Sequence, residues 1–256
     1  MKILGIDTTT KFLSLGVYDN ANPVRNTIYN KGYSKISNGA KIYEYNLDLG
    51  RRHSNLLMVT IKRVLDALGW DARDIDYFAC GTGPGSFTGI RIGIATIKGL
   101  SFSLNKPVIG ISTLDILARN AGITDDPIVP IIDARRSLIY CSVYRKKNNI
   151  LRRMMPYMLL TEEEFFKKAG NNAVLLGDAV NLYKQKILEN IKGATILEKE
   201  HWYPKGRSIV ELALERIKNN KIDNPFELAP IYLYPKECQI QSQITQIKRN
   251  RLHRLK

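Results

Sequence analysis

Cysteine is scarce in this chain, and so are histidine and acid. Cys80, Cys141 and Cys238 lie far apart, with no Cys-x-x-Cys pair and no histidine beside any of them. That spacing argues against a disulfide framework and against a structural zinc, and it predicts a reducing, cytoplasmic setting. No apolar run reaches the roughly 18 residues that a membrane-spanning helix needs. The opening "MKILGIDTTT" has too short an apolar stretch for a signal peptide and reads as a buried strand. Metal-ligating pairs are missing too. One helical turn past His53 stands Leu57, and His201 and His253 are equally isolated. Standard phosphate loops are also absent. No Gly-Lys-Ser/Thr completes a P-loop, and the dinucleotide pattern G-x-G-x-x-G fails at Ser86 in one frame and at Thr88 in the other. The sequence shows no defensible Ser/His/Asp order, Cys/His pair or carboxylate pair.

Acid is outnumbered by 39 basic to 24 acidic residues, a formal net charge of +15. Such an excess favours polyanions through phosphate neutralisation and counterion release, or else it is a solvated surface. The basic residues cluster in "RKKNNILRR" (Arg145 to Arg153) and in the tail Ile247 to Lys256, where Arg249, Arg251 and Arg254 are candidate RNA contacts.

What the chain does contain is a regular α/β pattern, long enough for one large domain or two smaller ones. "KILGID" and "FLSLGVYD" read as a strand pair, and "KIYEYNLDL" as a third strand. "HSNLLMVTIKRVLDALGW" is an amphipathic helix with Ser54 as its N-cap and Gly69 as its end. A strand "IDYFACGTG", a helix "SFTGIRIGIATIKGLSFSL" capped by Ser86, a strand "KPVIGIS" and a helix "STLDILARNAG" follow. The order predicts a mixed sheet with an antiparallel hairpin side and parallel crossovers. After "ITDDP" the pattern recurs in degenerate form. It includes strands around "DARRS", a helix "TEEEFFKKAG" with a Thr161/Glu164 capping box, and the amphipathic helix "GRSIVELALERIKNN". "NPFELAPIYLYPKEC" reads as an extended segment packing back on the first half.

The densest feature is "CGTGPGSFTGIRIG", with Gly81, Gly83, Gly85, Gly89 and Gly93. Gly89, Gly93 and Gly99 fall inside the helix, where each costs about 1 kcal/mol relative to alanine. Close approach of another backbone would account for that cost. The partner backbone is either this chain's own sheet or a second chain, and the Ser86 end could also hold an anion. Asp7 and Thr8, after the first strand, are candidates for orienting a nucleotide, and Asp133, ending a strand of the second half, is a further candidate.

"MKILGIDTTT", "RRHSNLL", "GTGPGSFTGIRIGIATIKGL", "KPVIGISTLDILA", "PIIDARRSLIYCSVY" and "LAPIYLYP" resemble, in order and spacing, the TsaB (YeaZ) family up to about Pro235. The resemblance implies an actin-like, Hsp70-like ATPase fold of two related halves. Residues 1–118, joined by 226–256, would form the first half, and residues 119–225 the second. It implies a non-catalytic scaffold and activator in the making of threonylcarbamoyladenosine, the modified adenosine beside the anticodon of tRNA. The partners would be a TsaD homologue and a TsaE homologue, with a homodimer in isolation, tRNA engaged through the complex and no membrane. No cofactor is expected, with ATP or ADP bound only in the assembled complex. TsaD-type enzymes carry an HxxxH metal pair, and at the matching place this chain has Thr113 and Leu117. Neither can replace an imidazole as a metal ligand. The family pairs two first-half helices with a partner, which predicts contacts through Ser54, Leu57, Met58, Ile61, Gly89, Gly93, Ile94 and Ile97. The alternative is a nucleotide-hydrolysing or glycoprotease-like enzyme of the same fold using Asp7 and Asp133.

Overall fold

The architecture is that of a computed structural model, which describes residues 1–20, 33–35, 40–48, 50, 52–122, 124–147 and 150–234. The basic tail with Arg249, Arg251 and Arg254, and most of the connection 30–40, lie outside the described residues.

The first sheet is built from β1 (Lys2–Asp7), β2 (Phe12–Asp19), β3 (Tyr33–Lys35), β4 (Lys41–Asp48), β5 (Tyr77–Gly81) and β6 (Val108–Ile111). Their spatial order is β3-β4-β2-β1-β5-β6. Strand β1 runs antiparallel to β2 and parallel to β5, and β5 runs parallel to β6. Ile3, Leu4 and Ile6 of β1 are fully buried, as expected of a central strand covered on both faces. Helix α1 (His53–Leu68) and helix α2 (Phe87–Leu104) cover one face. Leu57, Ile61, Val64 and Leu65 of α1 join Ile90, Ile94 and Ile97 of α2 over Leu4, Ile6 and Phe78.

The second sheet contains β7 (Ile128–Asp133), β8 (Leu138–Cys141), β9 (Tyr144–Lys147), β10 (Ile150–Arg153), β11 (Met158–Thr161), β12 (Val174–Leu176) and β13 (Thr195–Ile196). Its main path is β10-β9-β7-β12-β13, with β8 bridging β7 and β11. Helices α4 (Glu162–Ala169) and α5 (Val180–Asn190) flank it. The expected mixed α/β class is present, with two helix-flanked sheets.

Local signals held in several places. Ser86 accepts the Gly89 N–H at 3.2 Å as N-cap of α2. The Thr161/Glu164 capping box opens α4, and Gly69 closes α1 in the left-handed region at φ 70°. Ser54 is different: it lies inside α1, whose N-cap is Arg52 with no side-chain cap bond. Within the basic run, β9 and β10 pair antiparallel, with Arg152 opposite Arg145.

The expected boundary at 225 shifts for one helix. Ile209, Val210 and Ala213 of α6 (Gly206–Lys218) pack with Ile3, Ala79 and Ile109, which places α6 on the first sheet. The contact is close because it is backbone on backbone: a Cβ on Gly206 would lie 2.2 Å from the Leu15 carbonyl oxygen. Helix α3 (Thr113–Asn120) joins the halves, sending Leu114 and Leu117 into the core around Ile128 and Ile131, and Ile116 into the core around Ile3. The segment after α6 contacts the first half through residues 226–231, while Leu233 and Tyr234 pack against the second core. Ile231 N–H donates to Thr82 O at 2.8 Å, and Lys98 Nζ reaches the Phe226 and Leu228 carbonyls at 3.3 Å.

Candidate functional site at the β1 turn and the outer helix face

Parallel strands β1 and β5 end side by side at Asp7 and Gly81, and the chain after Gly81 wraps over the turn after Asp7. Each glycine there removes a collision. A Cβ on Gly81 would lie 1.9 Å from Asp7 Oδ2, one on Gly85 2.5 Å from Thr9 O, and one on Gly89 2.0 Å from Thr8 O. At Gly93 the obstacle is Thr8 Oγ1, at 2.4 Å. Hydrogen bonds lock the contact. Ser86 N–H donates to Thr9 O at 2.7 Å, and Thr8 Oγ1 donates to Gly89 O at 2.7 Å.

Asp7 and Thr8 are each 1% exposed. The Asp7 carboxylate accepts the Thr9 N–H at 2.8 Å and the Thr9 hydroxyl at 2.7 Å, and Thr113 Oγ1 stands 3.4 Å from its other oxygen. Burial dominates these bonds and pushes the carboxyl up to about 6. The candidate nucleotide trio of Asp7, Thr8 and Ser86 is therefore held by this chain's own groups: two members are covered, and the Ser86 hydroxyl caps a helix. Behind the turn, His53 is buried with Nε2 2.9 Å from Thr10 O. Thr113 and Leu117 are fully buried, the first tied to Thr9 Oγ1 at 3.0 Å and the second in the apolar core.

Asp133 is not brought into this cluster. Its side chain accepts the Arg135 N–H at 2.8 Å and pairs with the Arg135 guanidinium at 3.0 Å. Its own N–H donates to Asp178 Oδ1 at 3.0 Å, and burial raises the Asp178 carboxyl. Among the described residues, no group of three or more His, Cys, Asp or Glu could hold a metal ion.

The expected partner contacts need correction residue by residue. Leu57, Ile61, Ile94 and Ile97 are at most 5% exposed and form this chain's own core. Gly89 and Gly93 face Thr8. Only Ser54 and Met58 are exposed. The resemblance points to the two helices as a partner surface, but the sheet beneath claims their apolar side chains and their glycines. The outer face of the two helices carries Met58, Val59, Phe87, Ala95, Gly99 and Phe102 instead. A Cβ on Gly99 would meet nothing within 4 Å. The sequence did hold that signal: Ala95 and Gly99 stand one turn apart, off the Ile90/Ile94/Ile97 stripe.

A family model described as "TsaD: tRNA N6-adenosine threonylcarbamoyltransferase" matches residues 48–236. The "tRNA threonylcarbamoyladenosine biosynthesis protein TsaB" of Haemophilus influenzae is 30% identical over 194 residues, 72% of this chain and 80% of that protein. The chain belongs to the TsaB (YeaZ) family. Within that family the Bacillus subtilis TsaB is 35% identical over 120 residues, 47% of this chain and 52% of that protein. The Escherichia coli TsaB is 31% identical over 150 residues, 57% of this chain and 56% of that protein. The matched segment thus spans about half the length of these two relatives. A solved structure titled "YeaZ from Pseudomonas aeruginosa" superposes with a TM-score of 0.72 at 21% identity, covering 90% of this chain and 100% of that one, a likeness of fold.

Proposed function

We propose that this TsaB-family chain acts in tRNA threonylcarbamoyladenosine biosynthesis as a non-catalytic partner that dimerises with a TsaD homologue and activates it. The observation that carries the reading is the state of Thr113 and Leu117, the positions where the resemblance puts the enzyme's two histidines. One is spent on the Asp7–Thr9 hydrogen-bond cluster and the other fills the core. Neither offers a ligand atom to a metal. The outer face of α1 and α2 adds support. Met58 and Val59 of α1 and Ala95 and Gly99 of α2 are exposed there, a small-residue surface that a partner helix can approach closely, and the Phe87 and Phe102 rings pack on Tyr232 and Phe226. A homodimer in isolation would use the same face, and a TsaE homologue would join the assembled complex. The basic tail 239–256 would reach tRNA phosphates from the complex.

Co-purification with a TsaD homologue, followed by a threonylcarbamoyl-transfer assay with and without this chain, tests the proposal. The isolated chain forms no modified tRNA, and activity requires both proteins. Gly99→Leu, pointing into open space, should leave the monomer folded and weaken the complex. Modification activity of the isolated chain, or ATP hydrolysis abolished by Asp7→Ala, would overturn the reading in favour of the enzyme alternative.

A further inference from the structure

A cavity of about 460 Å³ opens at the seam between the first sheet and the segment leading into α6, within the roughly 300–1,000 Å³ range of small-ligand pockets. Lys11, Phe12 and Asp48 line it from the ends of β2 and β4, and Lys199, Tyr203 and Lys205 from the opposite wall. The Phe12 and Tyr203 rings pack with centroids 4.5 Å apart, inclined by 43°, as an aromatic surface across the seam. This wall is fixed before any ligand arrives. Asn120 Nδ2 donates to Tyr203 O at 2.8 Å and to His201 O at 3.2 Å, and the Ser14 hydroxyl donates to Pro204 O. Behind it, Gly206 sits against the Leu15 backbone so closely that no side chain fits.

The charges in the cavity are unbalanced in one direction. Lys11 pairs with Asp48 at 2.9 Å, and of the remaining lining charges Lys199 and Lys205 outnumber Glu200 by one. The side chains of Lys199 and Lys205 make no ion pair or hydrogen bond among the described residues. Unpaired ammonium groups and a net positive lining beside aromatic rings suit a ligand that joins a planar ring to a phosphate, since bases stack on aromatic side chains and phosphates accept from ammonium groups. The geometry points to a nucleotide-binding pocket, with the base against Phe12 and Tyr203 and the phosphate between Lys199 and Lys205. The site is separate from the buried Asp7 turn and does not depend on the TsaD partnership. A free mononucleotide and an unpaired nucleotide of RNA present the same chemistry.

Calorimetric titration of the full chain tests this with AMP, adenosine, ribose 5-phosphate, inorganic phosphate and a short single-stranded oligoribonucleotide. AMP or the oligonucleotide should bind saturably and more tightly than adenosine or ribose 5-phosphate, because both parts of the ligand are held. The surface double variant Lys199→Glu/Lys205→Glu should weaken binding by roughly tenfold or more, as should Tyr203→Ala, while Tyr203→Phe keeps it. Thermal melts of each variant separate lost binding from lost folding. Tighter binding of the oligonucleotide identifies RNA as the source, and tighter binding of AMP a free nucleotide. No saturable binding, inorganic phosphate binding as tightly as AMP, or undiminished binding by the folded lysine variant would overturn the proposal.

Discussion

The two halves place the same construction in two environments. In the first, β1 and β5 run parallel and end at Asp7 and Gly81, with α2 following; in the second, β7 and β12 run parallel and end at Asp133 and Leu176, with Gly177, Asp178 and α5 following β12. Helix α2 sits directly on the backbone of the preceding turn through Gly89 and Gly93, whereas α5 is seated by the side chains of Val180, Tyr183 and Ile187. The turn after Asp7 is consequently buried and fully bonded. Its counterpart after Asp133 is open, and Arg135, Arg136 and Ser137 all take positive φ, at 67°, 52° and 58°. Tyr234 OH, from the returning segment, donates to Ala134 O at 2.7 Å and stands 3.4 Å from Arg135 O. Glycine thus decides how deep a turn can be covered. Without a Cβ, a helix settles onto carbonyl oxygens; with one, it stands off and leaves the turn to solvent.

The largest break in this comparison comes from Gly89→Ala. Its methyl group meets the Thr8 carbonyl oxygen, so urea denaturation should show a loss of about 3 kcal/mol or more. Asn181→Ala on the exposed side of α5 should stay within about 0.5 kcal/mol of wild type. Equal stability of both variants would mean that α2 does not rest on the turn.

The buried turn also predicts a pH dependence. Asp7 has an ordinary value of 3.8 and is raised to about 6 by burial, so the folded chain holds its proton more tightly than the unfolded chain. Its contribution to stability is complete below about pH 3.8 and is lost as pH rises through about 6, at most about 3 kcal/mol. Asp7→Asn should flatten that part of the stability profile. A variant whose profile keeps the wild-type slope between pH 4 and 7 would assign the dependence to another group.

Within α2 the contrast sharpens on a smaller scale. Gly99 faces open space, so Gly99→Ala should raise monomer stability by about 1 kcal/mol, opposite in sign to Gly89→Ala. The smallest effect is expected at the open turn. Arg136→Gly relieves a left-handed residue and should stabilise by about 0.5 to 1 kcal/mol, net of the extra freedom of the unfolded chain. A loss of stability there would show that the Arg136 side chain carries a contact outweighing its backbone cost.

Much of the architecture was readable because it depends on near neighbours in sequence. The apolar run of β1, the i, i+3, i+4 stripe of α1, the Ser86 and Thr161 caps and the Gly69 stop are local signals, and each forms the element they predict. The pairing of β9 with β10 was less legible, because charge dominates the run and conceals the strand pattern. Ser54 looked like a cap because a serine stood beside an apolar stripe, but the helix begins one residue earlier, at His53.

The sequence by itself determined that close approaches exist, since helix-interior glycines are unfavourable unless something needs the space. Only the tertiary structure decided what occupies that space. Thr8 lies against Gly89 and Gly93 from 81 and 85 residues away, and α6 crosses from the second sheet's side of the chain to pack on β1 and β2. Such contacts join residues remote in sequence, and nothing in local propensity encodes which backbone comes near which glycine.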